Sequence, residues 1–121
     1  MLQLLLHGLG DYIIQNDWMA LNKKKPGFKG FLACFIHCLT YSLPFLFIGS
    51  VPAVLFIFIT HFIIDRTHII DYILALKNGI YPDISNLGFR FERPQFVVFF
   101  IYVVVDNLFH ISCNYFALTY L

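Results

Sequence analysis

"HGLGDYIIQNDW", residues 7–18, stands inside an apolar N-terminal run, yet it places His7, Asp11 and Gln15 four residues apart. Four-residue spacing puts side chains on one face of an α-helix, about one turn from each other. A polar stripe of this kind is unfavourable against lipid unless partners in a protein interior meet it. The fold therefore turns on two questions: whether the chain is a membrane protein, and whether other segments carry a matching stripe.

Composition answers the first. The chain has 121 residues, 60% hydrophobic and 19% aromatic, with only 12% charged, and its mean hydropathy is +0.76. A soluble domain carries about a quarter charged residues. Half that share leaves too little polarity to coat a globular surface, so an integral membrane protein is expected. The formal net charge of +1, without a basic face of interleaved aromatics, argues against nucleic acid as a partner. The start "MLQLLLHGLG" lacks the basic residues and small-residue cleavage site of a secretory signal, so the first segment is expected to be retained. Cys34, Cys38 and Cys113 all lie in apolar stretches. Cys34 and Cys38 are one turn apart, which does not suit a structural disulfide, and they read as small buried residues.

Crossing the hydrocarbon core takes about 20 mostly apolar residues. Four such segments are predicted, over 2–21, 31–49, 52–76 and 94–120, giving an all-α, four-helix transmembrane bundle built as a single domain over 1–121. The link 22–30 ends the first helix, with Pro26 and Gly27 as breakers, Pro44 kinks the second helix, and Pro94 suits the first turn of the fourth. The link 77–93 is amphipathic enough to lie along the membrane surface. Lys23, Lys24, Lys25 and Lys29 sit in the link 22–30, and Lys77, Arg90 and Arg93 in or beside the link 77–93. Basic residues near helix ends favour the cytoplasm, so both links are expected there and both termini on the other side.

Matching stripes answer the second question. Besides His7 and Asp11, the expected spans contain His37, then His61, Asp65 and His68, then Asp106 and His110. His7/Asp11, His61/Asp65 and Asp106/His110 share the same four-residue spacing, and His68 would fall on the His61/Asp65 face of a continuous helix. At about 1.5 Å per residue, most of these side chains lie about 15 to 24 Å from the cytoplasmic ends of their helices, and His37 and His68 about 9 to 12 Å. All four helices thus bring polar groups to one mid-membrane slab.

A central Asp costs about 2.5 to 3.5 kcal/mol on insertion scales, and a divalent cation recovers that cost most directly. Imidazole and carboxylate are ordinary ligands of zinc, manganese and iron. The expected ligands are His7, Asp11, His37, His61, Asp65, Asp106 and His110, with Asp11, Asp65 and Asp106 also available for catalysis. Three aspartates beside neutral imidazoles are better balanced by two divalent ions than by one, so a site of one or two ions, zinc first, is expected. Gln15, Asn107 and Asn114 read as hydrogen-bond partners behind the ligands. Arg66 can snorkel to lipid phosphate or clamp an anionic substrate.

The stretch "HGLGDYIIQNDWMALNKKK", with His37 and the later "HFIIDRTH", resembles an uncharacterised family of small bacterial and phage membrane proteins. The shared pattern is His-x-x-x-Asp-aromatic-x-x-Gln, then Met-Ala and Lys, with His-Phe-x-x-Asp on a later helix. The residues carried by it are His7, Asp11, Gln15, His61 and Asp65. The resemblance implies a four-helix protein of the bacterial inner membrane. More distantly, the chain is similar to membrane-bound metal-dependent hydrolases. That likeness implies hydrolysis of a lipid or lipid-linked substrate within the membrane. Two other readings use the same residues: a transporter of metal ions or protons, and an interaction protein whose polar core only sets helix register. The phenylalanine-rich exterior suits lipid or a second copy in a homodimer.

Overall fold

Helix propensity and apolar runs produce six α-helices and no strand in the computed structural model, which describes all 121 residues. They are α1 (Leu2–Leu9), α2 (Asp17–Asn22), α3 (Gly27–Ser42), α4 (Val51–Arg66), α5 (Ile69–Lys77) and α6 (Gln95–Tyr120). The all-α expectation holds. The expectation of four uninterrupted spans does not.

The first departure lies in the opening stretch. After α1 the chain widens into a π-helical turn, Gly10–Ile14, closed by a bond from the Gln15 N–H to the Gly10 carbonyl at 3.1 Å. Gln15 then turns extended (ψ 114°). Asn16 caps α2 by accepting the Met19 N–H at 2.9 Å, and Asp17 complements the dipole in the first turn. Residues 2–14 rise only about 20 Å, short of a hydrocarbon core of about 30 Å. The helix expected over 2–21 is therefore two shorter helices at an angle set by a cap.

The second departure lies at the end of α4, which stops at Arg66; α5 starts at Ile69 with His68 as its N-cap residue. The helix expected over 52–76 is broken there, so the face of His61 and Asp65 does not continue to His68. Pro44 does more than kink its helix: α3 gives way at Leu43–Phe47 to a 3₁₀ segment with the proline in its first turn. Two segments remain long and apolar enough to cross a membrane, Gly27–Phe47 at mean hydropathy 1.6 and Gln95–Tyr120 at 2.0. Val51–Arg66 with Ile69–Lys77 makes a third if taken as one broken span. Two or three spans in place of four leave the expected placement of both termini on one side unsupported by helix number.

The chain divides into two compact units, one of Met1–Arg66 with His110–Leu121 and one of Thr67–Phe109. The first has an apolar centre of Tyr41, Phe45, Ala53, Val54, Ile57 and Ala117. Gly10 is fitted to it: a Cβ there would overlap the Tyr41 ring. Gly10→Ala is therefore expected to cost about 1–3 kcal/mol by overpacking, read as a lower midpoint of unfolding in mixed micelles.

In the second unit, the link after α5 is a run of turns folded onto that helix, with Phe89 only 1% exposed, and not an amphipathic ribbon. Asn78 donates to the Gly88 carbonyl at 2.7 Å. Asp83 accepts the Ser85 N–H at 2.9 Å in a short Asx turn, and that bond holds its carboxyl below the usual carboxylate range.

Candidate metal centre

Three chain segments of the first unit deliver the polar residues: α1 with its π-turn, the middle of α3, and the last two turns of α4. The π-turn aims Asp11 inward, α3 brings His37 and Tyr41 on one face, and α4 brings His61 and Asp65. The C-terminal part of α6 adds His110 and Asn114. His7, His37, His61, Asp65, His110 and Asn114 are all buried.

One group is Asp11, His37 and His61, whose ligand atoms could hold a metal ion. The Nε2 atoms of His37 and His61 are 3.0 Å apart, and they stand 3.3 and 3.4 Å from Asp11 Oδ1. A tetrahedral zinc, about 2.0–2.1 Å from each ligand, spaces its ligand atoms about 3.3 Å apart. The triangle therefore has the dimensions of one face of such a site. Asp11 Oδ1 is buried and accepts no hydrogen bond, as expected of an atom poised for a cation. One feature of a mature centre is missing: ligating imidazoles usually donate their other N–H to a partner, whereas Nδ1 of His37 and of His61 is buried without one.

Asp65 lies against the same two histidines. Its Oδ2 is 3.0 Å from His37 Nε2 and 3.4 Å from His61 Nε2, and its Oδ1 is 3.5 Å from His110 Nε2. It also accepts from the Lys23 ammonium at 2.8 Å. Lys23 also donates to Gln15 Oε1 at 2.9 Å, and Gln15 donates to the Asp11 carbonyl at 3.3 Å. Gln15 thus stands behind the site as expected, but its partner is a lysine. Lys23 had been legible only as one basic residue of a topogenic loop, and Cys38 only as a small buried residue. Cys38 also comes within ligand distance of His61 and Asp65, and its Sγ is 3.8 Å from Cys34 Sγ, with both thiols free.

Tyr41 organises the far side. Asn114 donates to its hydroxyl at 2.7 Å, which leaves the hydroxyl proton for His7 Nδ1, also at 2.7 Å. The ring stacks on His61 at 3.7 Å between centroids. His7 Nδ1 also stands 3.3 Å from Asp11 Oδ2, but as the acceptor of the Tyr41 proton it has none to donate there, and His7 lies outside the metal-sized triangle. No spacing rule singles out Tyr41 among seven tyrosines; its position one turn after His37 is the only signal.

Arg66, His68 and Asn107 take other partners. The Arg66 guanidinium donates to the Lys23 carbonyl at 3.4 Å, bracing the loop that carries the ammonium. His68 belongs to the second unit, is 54% exposed along its side chain, and pairs with Asp71. Asp71 is buried. Asp106 and Asn107 lie on α6 within the second unit, one turn and three residues ahead of His110. Asn107 donates to the Val103 carbonyl of its own helix at 2.7 Å.

Comparison with known proteins gives a family and no activity. Neither a curated protein nor a solved structure matches the chain. A family model described as a protein of unknown function, DUF3307, matches residues 1–120. With its whole length matched, the chain belongs to the DUF3307 family.

Proposed function

We propose that this protein is a membrane-embedded, metal-dependent hydrolase acting on a lipid or lipid-linked substrate, with Asp11, His37 and His61 holding one divalent transition-metal ion. The observation that carries the reading is the metal-sized triangle that includes Asp11 Oδ1, a buried oxygen that accepts no hydrogen bond. Two imidazoles and a carboxylate suit zinc, and also manganese or iron. The first unit favours one ion: Asp11 and Asp65 bring two negative charges, Lys23 returns one, and a divalent ion with a single anion closes the balance.

When bound, such an ion supplies a water acidified to a pKa of about 7 and polarises the bond under attack. Asp65, beside both histidines, is the group placed to accept and return the proton, and Lys23 is its countercharge. Tyr41 backs His61 by ring stacking and is itself fixed by hydrogen bonds to His7 and Asn114. Apolar spans around a buried polar centre favour an amphiphilic substrate over a soluble one. The basic links at 22–30 and 77–93 are proposed to face the cytoplasm of a bacterial inner membrane, which puts the C-terminus outside.

A second reading rests on Lys23 and on the His37–His61 contact, which together balance much of the cluster without an ion. On that reading the residues form a proton relay of a transporter. Metal analysis of the detergent-purified chain separates the two. The first reading expects about one zinc, manganese or iron per chain, reduced at least about tenfold in His61→Ala, and lipid hydrolysis that a chelator stops and added zinc restores. Protein free of transition metal after growth in zinc-supplemented medium overturns it. Proton flux into liposomes that is lost in Asp65→Asn would then support the relay.

A further inference from the structure

We infer that the second unit carries a separate oxyanion site, formed by Lys77, Asn78, Arg90 and Arg93, that takes the phosphate of an anionic lipid headgroup. These four residues line a cavity of about 350 Å³. Three are cations, none of the three forms an ion pair within the chain, and no acidic residue lines the cavity. Three like charges around one space repel each other until an anion enters.

The loop that presents them is fixed by specific contacts. Asn78 at the end of α5 donates to the Gly88 carbonyl at 2.7 Å. The Arg90 carbonyl accepts from Asn86 Nδ2 at 3.4 Å and from the Arg93 N–H at 3.2 Å, which ties the two arginines into one turn. The Arg93 guanidinium lies 5.9 Å over the ring of buried Phe89, a cation–π contact that holds the fork at the cavity. The loop backbone and the Arg93 side chain are therefore ordered before a ligand arrives, which lowers the cost of binding.

The donor set selects the ligand. Guanidinium forks match pairs of phosphate oxygens, and an ammonium adds a point charge. Three cations neutralise a phosphomonoester of about −1.5 to −2 more completely than a singly charged diester. Position in the chain favours lipid as the source. Lys77 closes the apolar helix α5, and Arg93 stands two residues before α6, one of the two spans. Basic side chains at such helix ends meet headgroups, and Phe91 and Phe96 beside them are exposed. The site stands on its own geometry and does not depend on the metal reading.

The test uses the full chain in nanodiscs of phosphatidylcholine containing phosphatidic acid, phosphatidylglycerol or neither, with lipid retained on mild extraction counted by native mass spectrometry. Phosphatidic acid is expected to be retained over phosphatidylcholine by about tenfold or more. R90Q/R93Q should abolish the preference, while K25Q/K29Q, an equal charge change outside the cavity, should leave it within about twofold. Should the double variant not fold by circular dichroism and gel filtration, K77Q replaces it, with loss of at least half the preference expected. Competition by millimolar inorganic phosphate would identify free phosphate as an alternative source of the same oxyanion. Resistance to it would identify the headgroup. Equal retention of phosphatidic acid and phosphatidylcholine, or a preference unchanged in folded R90Q/R93Q or K77Q, overturns the site.

Discussion

Replacing Lys23 by methionine is expected to destabilise the first unit by about 3–5 kcal/mol, because it strips the countercharge from a buried carboxylate. Asp65 is 2% exposed, and its strongest bond is the 2.8 Å ion pair to Lys23. Removing both partners together, as Lys23→Met with Asp65→Leu, should recover most of that loss, since a buried pair replaced by apolar side chains is often close to neutral. A double-mutant cycle by denaturant unfolding in mixed micelles measures the difference, and additive single effects would refute a direct pairing. The same variant separates the functional readings. In a metal centre, deleting a neighbouring cation strengthens metal binding, whereas a metal-free relay gains no affinity for zinc.

The second large effect is expected at Gly88. Its φ is +76°, a region that costs about 1–2 kcal/mol for a residue with a Cβ. A Cβ there would also overlap the Asp71 carbonyl oxygen and the Ala75 nitrogen, both backbone atoms of α5. Backbone cannot rotate away as a side chain can, so overpacking adds about 1–3 kcal/mol. Gly88→Ala should therefore cost about 2–5 kcal/mol in all and release the loop over 77–93. Limited proteolysis is the direct measurement: new cleavage in that loop is expected, with α6 and the first unit still protected. An uncut loop of unchanged stability would show that the turn does not depend on glycine.

Much of the centre was legible from spacing. The pairs His7/Asp11 and His61/Asp65, together with His37 and His110, do gather in one buried cluster, because four-residue periodicity is a local property that survives wherever a helix ends. What spacing could not convey was where helices end. The pairing of His68 with the His61 face assumed an unbroken helix through Arg66, and a window of about 20 apolar residues averages over a break that costs only a few hydrogen bonds. The first break did leave a signal, since Asn16 followed by Asp17 is a helix start written inside an apolar run. Lys23 was hidden for another reason. Loop lysines next to spans are read for orientation, and nothing in a run of three reveals which ammonium turns inward.

The π-turn at Gly10–Ile14 has a consequence for how this chain tolerates change in length. Its i→i+5 bonding accommodates one residue more than an α-helix would over the same stretch. That surplus residue offsets everything after it by about 100° around the helix axis, so the stripe of His7 and Asp11 ends before Gln15 leaves for Lys23. The phase relation between the carboxylate and the lysine loop is therefore held in a count of residues, and no single side chain of the stretch carries it. Substitutions within Gly10–Ile14 can alter ligands, whereas an insertion or deletion there shifts the phase of everything that follows.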